Sequence, residues 1–291
     1  MRTLLLGIVL ICLNGFTGST FDTITKFLSI NNYKWYHYYS IGGTVAILIL
    51  LIFLELQGGI KKHILLKKKK YYFLTLLRGF HFFIILVIIF YSLKYIPINI
   101  FTLLLMTTPF FLIIFAKFIL KEKLNIISWV AIIIGFTGVT IVLRPINASL
   151  NIYIFLVLFV AISNALSFTL VSRYSHIAST YGFTFYSYVP AVLFSYIFFF
   201  NDPMLPSIKE FLLFISSGII VMISGWAFTA AYHIAGKYSS IISPFIFLQI
   251  LWGSLYGMIF FSEKMNTVSL IGIAIVVVSG SIAVYNRNKE F

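Results

Sequence analysis

The 291-residue chain is 61% hydrophobic, 19% aromatic and 10% charged, and its formal net charge is +14. This composition, with a mean hydropathy of +1.05, excludes an ordinary soluble domain and indicates an integral membrane protein. The lysines and arginines lie at the ends of apolar blocks rather than along one soluble face. The lipid bilayer is therefore an expected partner, and nucleic acid is not.

Long apolar blocks alternate with short polar breaks, which argues against a β-barrel, because barrel strands alternate apolar and polar residues over about ten residues. Helices are the remaining way to span a bilayer. Taken in chain order, the blocks predict ten transmembrane helices, at residues 4–25, 35–54, 72–93, 98–119, 126–143, 151–171, 182–200, 210–232, 240–261 and 267–285. We predict that the first block is retained rather than cleaved as a signal peptide, since its apolar run continues to Phe27.

The distribution of lysine and arginine predicts the orientation of these helices. With a cytoplasmic N-terminus, the inner side carries fifteen of these residues and the outer side six. Six of the fifteen lie between Lys61 and Lys70. We therefore expect an inner-membrane protein with both termini in the cytoplasm. Because each half has five helices, the second half is predicted to be inverted relative to the first.

A short sequence near the end of the fourth predicted helix recurs near the end of the ninth. Residues 120–125 read Leu-Lys-Glu-Lys-Leu-Asn and residues 261–266 read Phe-Ser-Glu-Lys-Met-Asn, and each follows an apolar span that contains a proline. A chance match between short, biased strings is the alternative. The agreement in flanking hydropathy favours an internal duplication, with one five-helix repeat at residues 1–147 and a second at 148–291.

Motifs of catalytic chemistry are absent from the sequence. It has no Gly-x-x-x-x-Gly-Lys-Ser/Thr loop, and its five histidines form no His-Glu-x-x-His or His-x-x-x-His pattern. The single Cys12 cannot form an intrachain disulfide. We therefore predict no enzymatic activity, no cofactor and no metal site.

Few ionisable groups lie inside the apolar blocks. Asp22 is the acid placed well within one, and Lys26 follows it by one helical turn. An intrahelical ion pair is one interpretation of this spacing. Titration of Asp22 during transport is the other, because a charge inside a membrane is costly and usually faces a cavity or a partner.

The candidate substrate-binding residues are polar or aromatic groups placed inside predicted spans. Two interpretations are open for Arg78: its guanidinium extends to the inner headgroups, or it points into the cavity mouth, where its planar fork suits a carboxylate or a phosphate. Trp252 offers an aromatic face to a cation. Gln249 lies three residues before Trp252, on the same helical face, where substrate contact competes with an interhelical hydrogen bond. The full predicted set is Arg78, Thr107, Trp226, Tyr232, Gln249 and Trp252.

Several stretches resemble the drug/metabolite transporter superfamily of the EamA type. They are Leu77-Arg78-Gly79, the span from Pro109 to Glu122, and the stretch from Ala227 through Ser243-Pro244-Phe245 to Glu263. The resemblance covers essentially the whole chain. It implies ten helices in two inverted fives and a central cavity lined mainly by helices three, four, eight and nine.

Within that superfamily, Asp22-Thr-Ile-Thr-Lys26, Gly135-Phe-Thr-Gly138 and Leu143-Arg144-Pro145 are similar to the branch that includes bacterial S-adenosylmethionine transporters. Related sequences often carry an arginine in the second helix, where this chain has Tyr36-His37-Tyr38-Tyr39-Ser40. A substrate role of that arginine therefore does not transfer to this chain.

These observations predict an all-α secondary transporter that moves a small polar or zwitterionic metabolite, such as an amino acid or S-adenosylmethionine, by alternating access. Its expected partners are that metabolite, the bilayer, and a coupling proton or counter-substrate. The competing class is a non-transporting membrane protein, such as a lipid-modifying enzyme or an assembly subunit. Clustered histidines and acids near one surface would favour that class, and the sequence lacks them.

Overall fold

A computed structural model describes residues 2–121, 126–143, 151–174, 176–235 and 243–288. Helices are the regular elements within these residues, which confirms the predicted all-α class. The helices are α1 (Arg2–Ile30), α2 (Trp35–Leu56), α3 (Ile60–Ile64), α4 (Lys69–Tyr95), α5 (Ile98–Leu105), α6 (Thr108–Phe115), α7 (Ile126–Leu143), α8 (Ile152–Arg173), α9 (Thr180–Asn201), α10 (Ile208–Ala235), α11 (Leu248–Phe261) and α12 (Thr267–Asn288).

Eight helical segments of the described residues are long and apolar enough to cross a membrane. One of them, Ile98–Leu120, joins α5, α6 and a π-helical turn at Ala116–Leu120. Two further apolar helices, Phe245–Phe261 and Thr267–Ala283, are shorter. The chain is therefore a multi-pass helical membrane protein, and the count of ten crossings stays a prediction.

The fourth predicted span is not the continuous helix that its hydropathy predicts. It is broken between α5 and α6, because Pro109 has no N–H to donate to the Leu105 carbonyl oxygen one turn earlier. Two threonine hydroxyls satisfy the carbonyls at the break. Thr107 Oγ1 donates to the Leu104 oxygen and Thr108 Oγ1 donates to the Leu105 oxygen, each over 2.6 Å.

The chain divides into two compact units, each assembled from separated segments. The first unit comprises Met1–Thr23, Tyr95–Arg173 and Ser224–Phe291, and the second comprises Ile24–Lys94 and Tyr174–Ile223. Each unit therefore contains segments of both predicted halves, 1–147 and 148–291. The division of the chain into two repeats at that boundary stays a prediction.

In the first unit, α7 and α12 pack closely at a pair of glycines. A Cβ on Gly138 would lie 2.9 Å from the Gly272 carbonyl oxygen, so a larger residue would force the two helices apart. Two phenylalanines extend this contact. The Phe110 ring covers Gly135 and the Phe247 ring covers Gly280.

The second unit brings α2 against α9 and α10. Gly42 and Gly218 permit close backbone approach between α2 and α10, since a Cβ on Gly42 would lie 2.8 Å from the Phe214 carbonyl oxygen. An apolar core follows along the same helices and draws in α3. Its members are Ala46, Leu50, Leu54 and Met222, with Ile60 and Ile64 packed against them.

Candidate functional site

A buried acid and a buried amide meet between α1 and α11 in the first unit. Gln249 Nε2 donates to the Asp22 carboxylate oxygen Oδ2 over 3.4 Å. The two side chains are only 5% and 9% exposed. The pair is thus a polar contact between membrane helices, which realises one of the two alternatives predicted for Gln249.

Small residues on α1 allow this contact. A Cβ on Gly18 would lie 3.2 Å from Gln249 Nε2, and a Cβ on Gly15 would lie 3.4 Å from the Gln249 backbone nitrogen. Ser19 Oγ donates to the Gln249 carbonyl oxygen over 3.0 Å. These residues are not among those predicted from the sequence, although the spacing of Gly15 and Gly18 on one helical face indicates a close helix contact.

An aromatic group lies one turn beyond Gln249 in the same unit. The Trp252 ring meets the Phe16 ring edge to face, with centroids 5.1 Å apart, and Tyr256 lies 6.2 Å from each of these rings. The Tyr256 hydroxyl is 3.1 Å from Thr20 Oγ1. Trp252 and Gln249 therefore both face α1, as their spacing predicts.

Arg78 occupies a half-buried polar cluster between α4 and α9 in the second unit. Its Nη1 donates to Ser187 Oγ and, over 3.3 Å, to the Phe183 carbonyl oxygen. The guanidinium carbon lies 5.8 Å from the centre of the Phe183 ring. Within the described residues its buried Nε has no hydrogen-bond partner. The described hydrogen-bond partners of the guanidinium are thus neutral, and its Nε–H has no acceptor among the described residues.

Pro190 shapes the backbone beside Arg78. It lies inside α9 and has no N–H for the Tyr186 carbonyl oxygen one turn earlier. Gly79 of α4 faces this carbonyl so closely that an added Cβ would clash with it. Ser187, Phe183 and Pro190 are not among the residues predicted from the sequence, although a proline inside a predicted span indicates a local irregularity of the helix.

Two residues of α2, Tyr36 and His37, contact Asp202 in the same unit. Tyr36 donates its hydroxyl to Asp202 Oδ2 over 2.6 Å, and His37 Nε2 lies 2.9 Å from the Asp202 carbonyl oxygen. Outside the spans, Tyr33 donates its hydroxyl to Glu210. This hydrogen bond is the main cause of a raised pKa of Tyr33.

The remaining predicted site residues are described by their burial and by their position in their own helices. Thr107 is fully buried, and its hydroxyl donates within the helix break described above. Trp226 is 43% exposed in α10. Lys26 is buried, one turn beyond Asp22 in α1. The side chain of Tyr232 lies outside the described part of the structure.

In the first unit, Asp22 contacts Gln249, and Trp252 lies one turn beyond Gln249 on α11. Arg78 belongs to the second unit. The predicted meeting of Arg78 with Trp226, Gln249 and Trp252 stays a prediction, as does an Asp22–Lys26 ion pair. The described residues contain no group of three or more histidine, cysteine, aspartate or glutamate side chains that could hold a metal ion.

The chain matches the model of the EamA-like transporter family over residues 5–144 and 151–285. Three relatives carry names that describe metabolite transport. The pseudopaline exporter CntI of Pseudomonas aeruginosa is 24% identical over 193 residues, which cover 65% of this chain and 67% of the relative. The S-adenosylmethionine uptake transporter of Rickettsia bellii is 25% identical over 202 residues, covering 68% of each chain.

The third relative is the riboflavin transporter of Vibrio cholerae, which is 28% identical over 177 residues. That match covers 60% of this chain and 59% of the relative. A crystal structure of another protein superimposes with a TM-score of 0.64 at 15% identity, covering 97% of each chain. At that identity the likeness shows the fold alone.

Proposed function

Because the chain belongs to the EamA-like transporter family, we propose that it is a secondary carrier of a small polar or zwitterionic metabolite. An amino acid or a compound like S-adenosylmethionine fits this class. Transport proceeds across the inner membrane by alternating access, with no enzymatic step. The ten helices form two inverted five-helix repeats, residues 1–147 and 148–291, with both termini in the cytoplasm.

The proposed substrate class rests on one observation: the described hydrogen-bond partners of the Arg78 guanidinium are uncharged. This guanidinium lies in a membrane-spanning helix, where an ionised group is costly without a partner of opposite charge. The hydrogen-bond acceptors around it in the described structure, Ser187 Oγ and the Phe183 carbonyl oxygen, are neutral. A substrate carboxylate supplies the missing negative charge and an acceptor for the spare Nε donor.

The aromatic group on α1 and α11 supports recognition of a cationic or planar substrate group. Trp252 presents an indole π face, and cation contacts with such rings contribute about 0.5 to 2 kcal/mol. The amide of Gln249 adds hydrogen bonds for a polar edge. These groups suit a zwitterion better than a long apolar tail.

Asp22 and Gln249 together support coupling to a proton. The Gln249 amide can donate to an ionised carboxylate through its NH₂, and it can accept the O–H of a protonated one through its oxygen. Either protonation state of Asp22 therefore keeps a hydrogen-bond partner inside the membrane. Exchange against a counter-substrate is the alternative form of coupling.

Matching backbone features support the inverted repeats. Lys121 and Ser262, which occupy equivalent positions in the two similar strings, both end a helical segment in the left-handed conformation, with φ of 61° and 53°. Repeats of this kind are a common construction of secondary transporters.

The test is uptake and efflux by purified protein in proteoliposomes, with a panel of labelled amino acids and nucleoside-containing sulfonium compounds. Arg78→Ala and Trp252→Ala are each expected to lower the apparent substrate affinity about tenfold or more. Both variants are expected to fold and to insert into the membrane. Arg2→Ala is the matched arginine control, since Arg2 is exposed at the start of α1.

Two outcomes would replace this proposal. Ion conduction without saturation, in the absence of any metabolite transport, would indicate a channel. Modification of lipids that is abolished by changing His81 or Asp22 would favour the enzyme alternative. Unchanged affinity in both variants would remove Arg78 and Trp252 from the site and leave the carrier fold intact.

A further inference from the structure

A basic segment at residues 60–70 connects α2 to α4 in the second unit. It holds six lysines within ten residues, and all six side chains are exposed: Lys61, Lys62, Lys67, Lys68, Lys69 and Lys70. No ion pair of these lysines occurs within the described residues. The nearest acid in sequence is Glu55, whose carboxylate accepts the Ile60 backbone N–H over 3.1 Å. The segment thus presents a dense, uncompensated positive charge.

The backbone of this segment is held in place by the helices around it. Tyr186 donates its hydroxyl to the Ile64 carbonyl oxygen over 2.7 Å, and the Leu66 N–H donates to the Tyr72 hydroxyl over 2.9 Å. His63 Nδ1 also lies 3.3 Å from Ser179 Oγ. Because the chain is already ordered, binding at this surface loses less conformational entropy than binding to a free loop would.

The apolar side chains of the segment point in two directions, as expected at a membrane surface. Ile60 and Ile64 point into the apolar core, whereas Leu65 is 64% exposed among the lysines. The segment joins Trp35–Leu56 to Lys69–Tyr95, two helices that are long and apolar enough to span the bilayer. It therefore lies where headgroups meet acyl chains, with one apolar side chain available to the latter.

We propose that the basic segment is a binding surface for the headgroup of an anionic phospholipid of the adjacent leaflet. Clustered lysines beside a membrane helix attract such headgroups electrostatically. The exposed Leu65 contacts the acyl chains of the same lipid. The same lysines can also set the orientation of the protein in the membrane. That role alone does not predict selective lipid binding by the folded protein.

The experiment uses the purified full-length protein in neutral detergent. Native mass spectrometry measures the binding of a short-chain phosphatidylglycerol and of the matching phosphatidylcholine. The triple variant with Lys61, Lys62 and Lys67 changed to glutamine is expected to bind phosphatidylglycerol about tenfold more weakly or worse. Binding of phosphatidylcholine is expected to stay unchanged. These three lysines are chosen because Lys68 and Lys70 lie over the Tyr71 ring.

The control is a triple variant with Lys34, Lys209 and Lys264, exposed lysines outside the segment, changed to glutamine. It should keep the phosphatidylglycerol preference. Raising the salt concentration should weaken phosphatidylglycerol binding in the wild type more than in the basic-segment variant. Thermal unfolding of each protein confirms that the variants are folded.

The proposal is overturned if the basic-segment variant keeps the wild-type preference, or if the control loses it equally. Glycerol phosphate, which has no acyl chains, is expected to compete poorly. Competition by it as strong as by the lipid would assign the surface to free phosphate compounds instead. None of these measurements depends on transport, so the surface is tested independently of the proposed function.

Discussion

Two ionisable side chains inside spanning helices, Asp22 and Arg78, are each hydrogen-bonded to neutral groups. Asp22 accepts from the Gln249 amide, and Arg78 donates to Ser187 and to a backbone carbonyl. Neutral partners reduce the cost of burying an ion only in part, because they supply dipoles and not a full opposite charge. In the proposed transport cycle, both residues are therefore suited to take a charged partner.

The substitution Asp22→Asn tests whether Asp22 couples transport to proton movement. The amide cannot release or take up a proton at neutral pH, but it keeps the volume of Asp22 and a hydrogen bond to Gln249. We expect accumulation driven by an imposed pH gradient to disappear, while exchange of labelled for unlabelled substrate across the membrane continues. Both are measured in proteoliposomes.

Asp202→Asn is the matched control, because the Asp202 side chain is 58% exposed in the second unit. It should retain gradient-driven accumulation. If Asp22→Asn also accumulates substrate in response to the pH gradient, proton coupling through Asp22 is wrong and the Asp22–Gln249 contact is structural.

At the scale of elements, close helix contacts rest on glycines whose neighbours leave no room for a side chain. A Cβ on Gly253 of α11 would clash with Thr102 Oγ1 of α5. The next turn of α11 repeats the pattern, where Gly257 faces Ile98 and the Glu263 carboxylate. That carboxylate accepts the Ile98 N–H over 2.8 Å and so caps the N-terminus of α5. The small residues and the acid of this stretch therefore hold α11 against α5.

Gly253→Ala should separate these helices, because Thr102 is fully buried and cannot move aside easily. We expect a loss of about 1 to 3 kcal/mol in the free energy of unfolding, measured in detergent by chemical denaturation.

Gly225→Ala in α10 is the matched glycine substitution, since an added Cβ there meets nothing within 4 Å. It should be neutral, or stabilising by up to about 1 kcal/mol through helix propensity. Equal effects of the two substitutions would contradict the packing role assigned to Gly253.

At the scale of the whole molecule, the similar strings at residues 120–125 and 261–266 bear on the membrane topology. Each begins where a helical segment ends, and Lys121 and Ser262 share the left-handed backbone conformation. Glu122 to Asn125 lie outside the described residues. In the proposed inverted arrangement, the first string faces the cytoplasm and the second faces the opposite side.

Single-cysteine labelling tests this topology, and it is straightforward because Cys12 is the only native cysteine. In a Cys12→Ala background, Lys264→Cys is expected to react with a membrane-impermeant maleimide added to intact cells or spheroplasts. Lys121→Cys should react only after the membrane is permeabilised. Both lysines are exposed, so both sites are reactive in principle. Labelling of the two sites from the same side would exclude inverted repeats.

The membrane class, the helical composition and the family resemblance are all evident from the amino-acid sequence alone. These properties follow from local hydropathy and from short motifs, which act over one helix length. It also singled out Asp22, Arg78, Gln249 and Trp252, because polar or charged groups inside apolar blocks stand out without any structural information.

Which side chains contact each other is evident only from the folded structure. The Asp22–Gln249 contact joins residues 227 positions apart, and the Arg78–Ser187 contact joins residues 109 positions apart. Such pairs depend on which helix faces pack together, and hydropathy carries little of that information when lipid and helix interior are equally apolar. The break at Thr107 likewise needed the structure, since the sequence shows Pro109 but not how the freed carbonyls find donors.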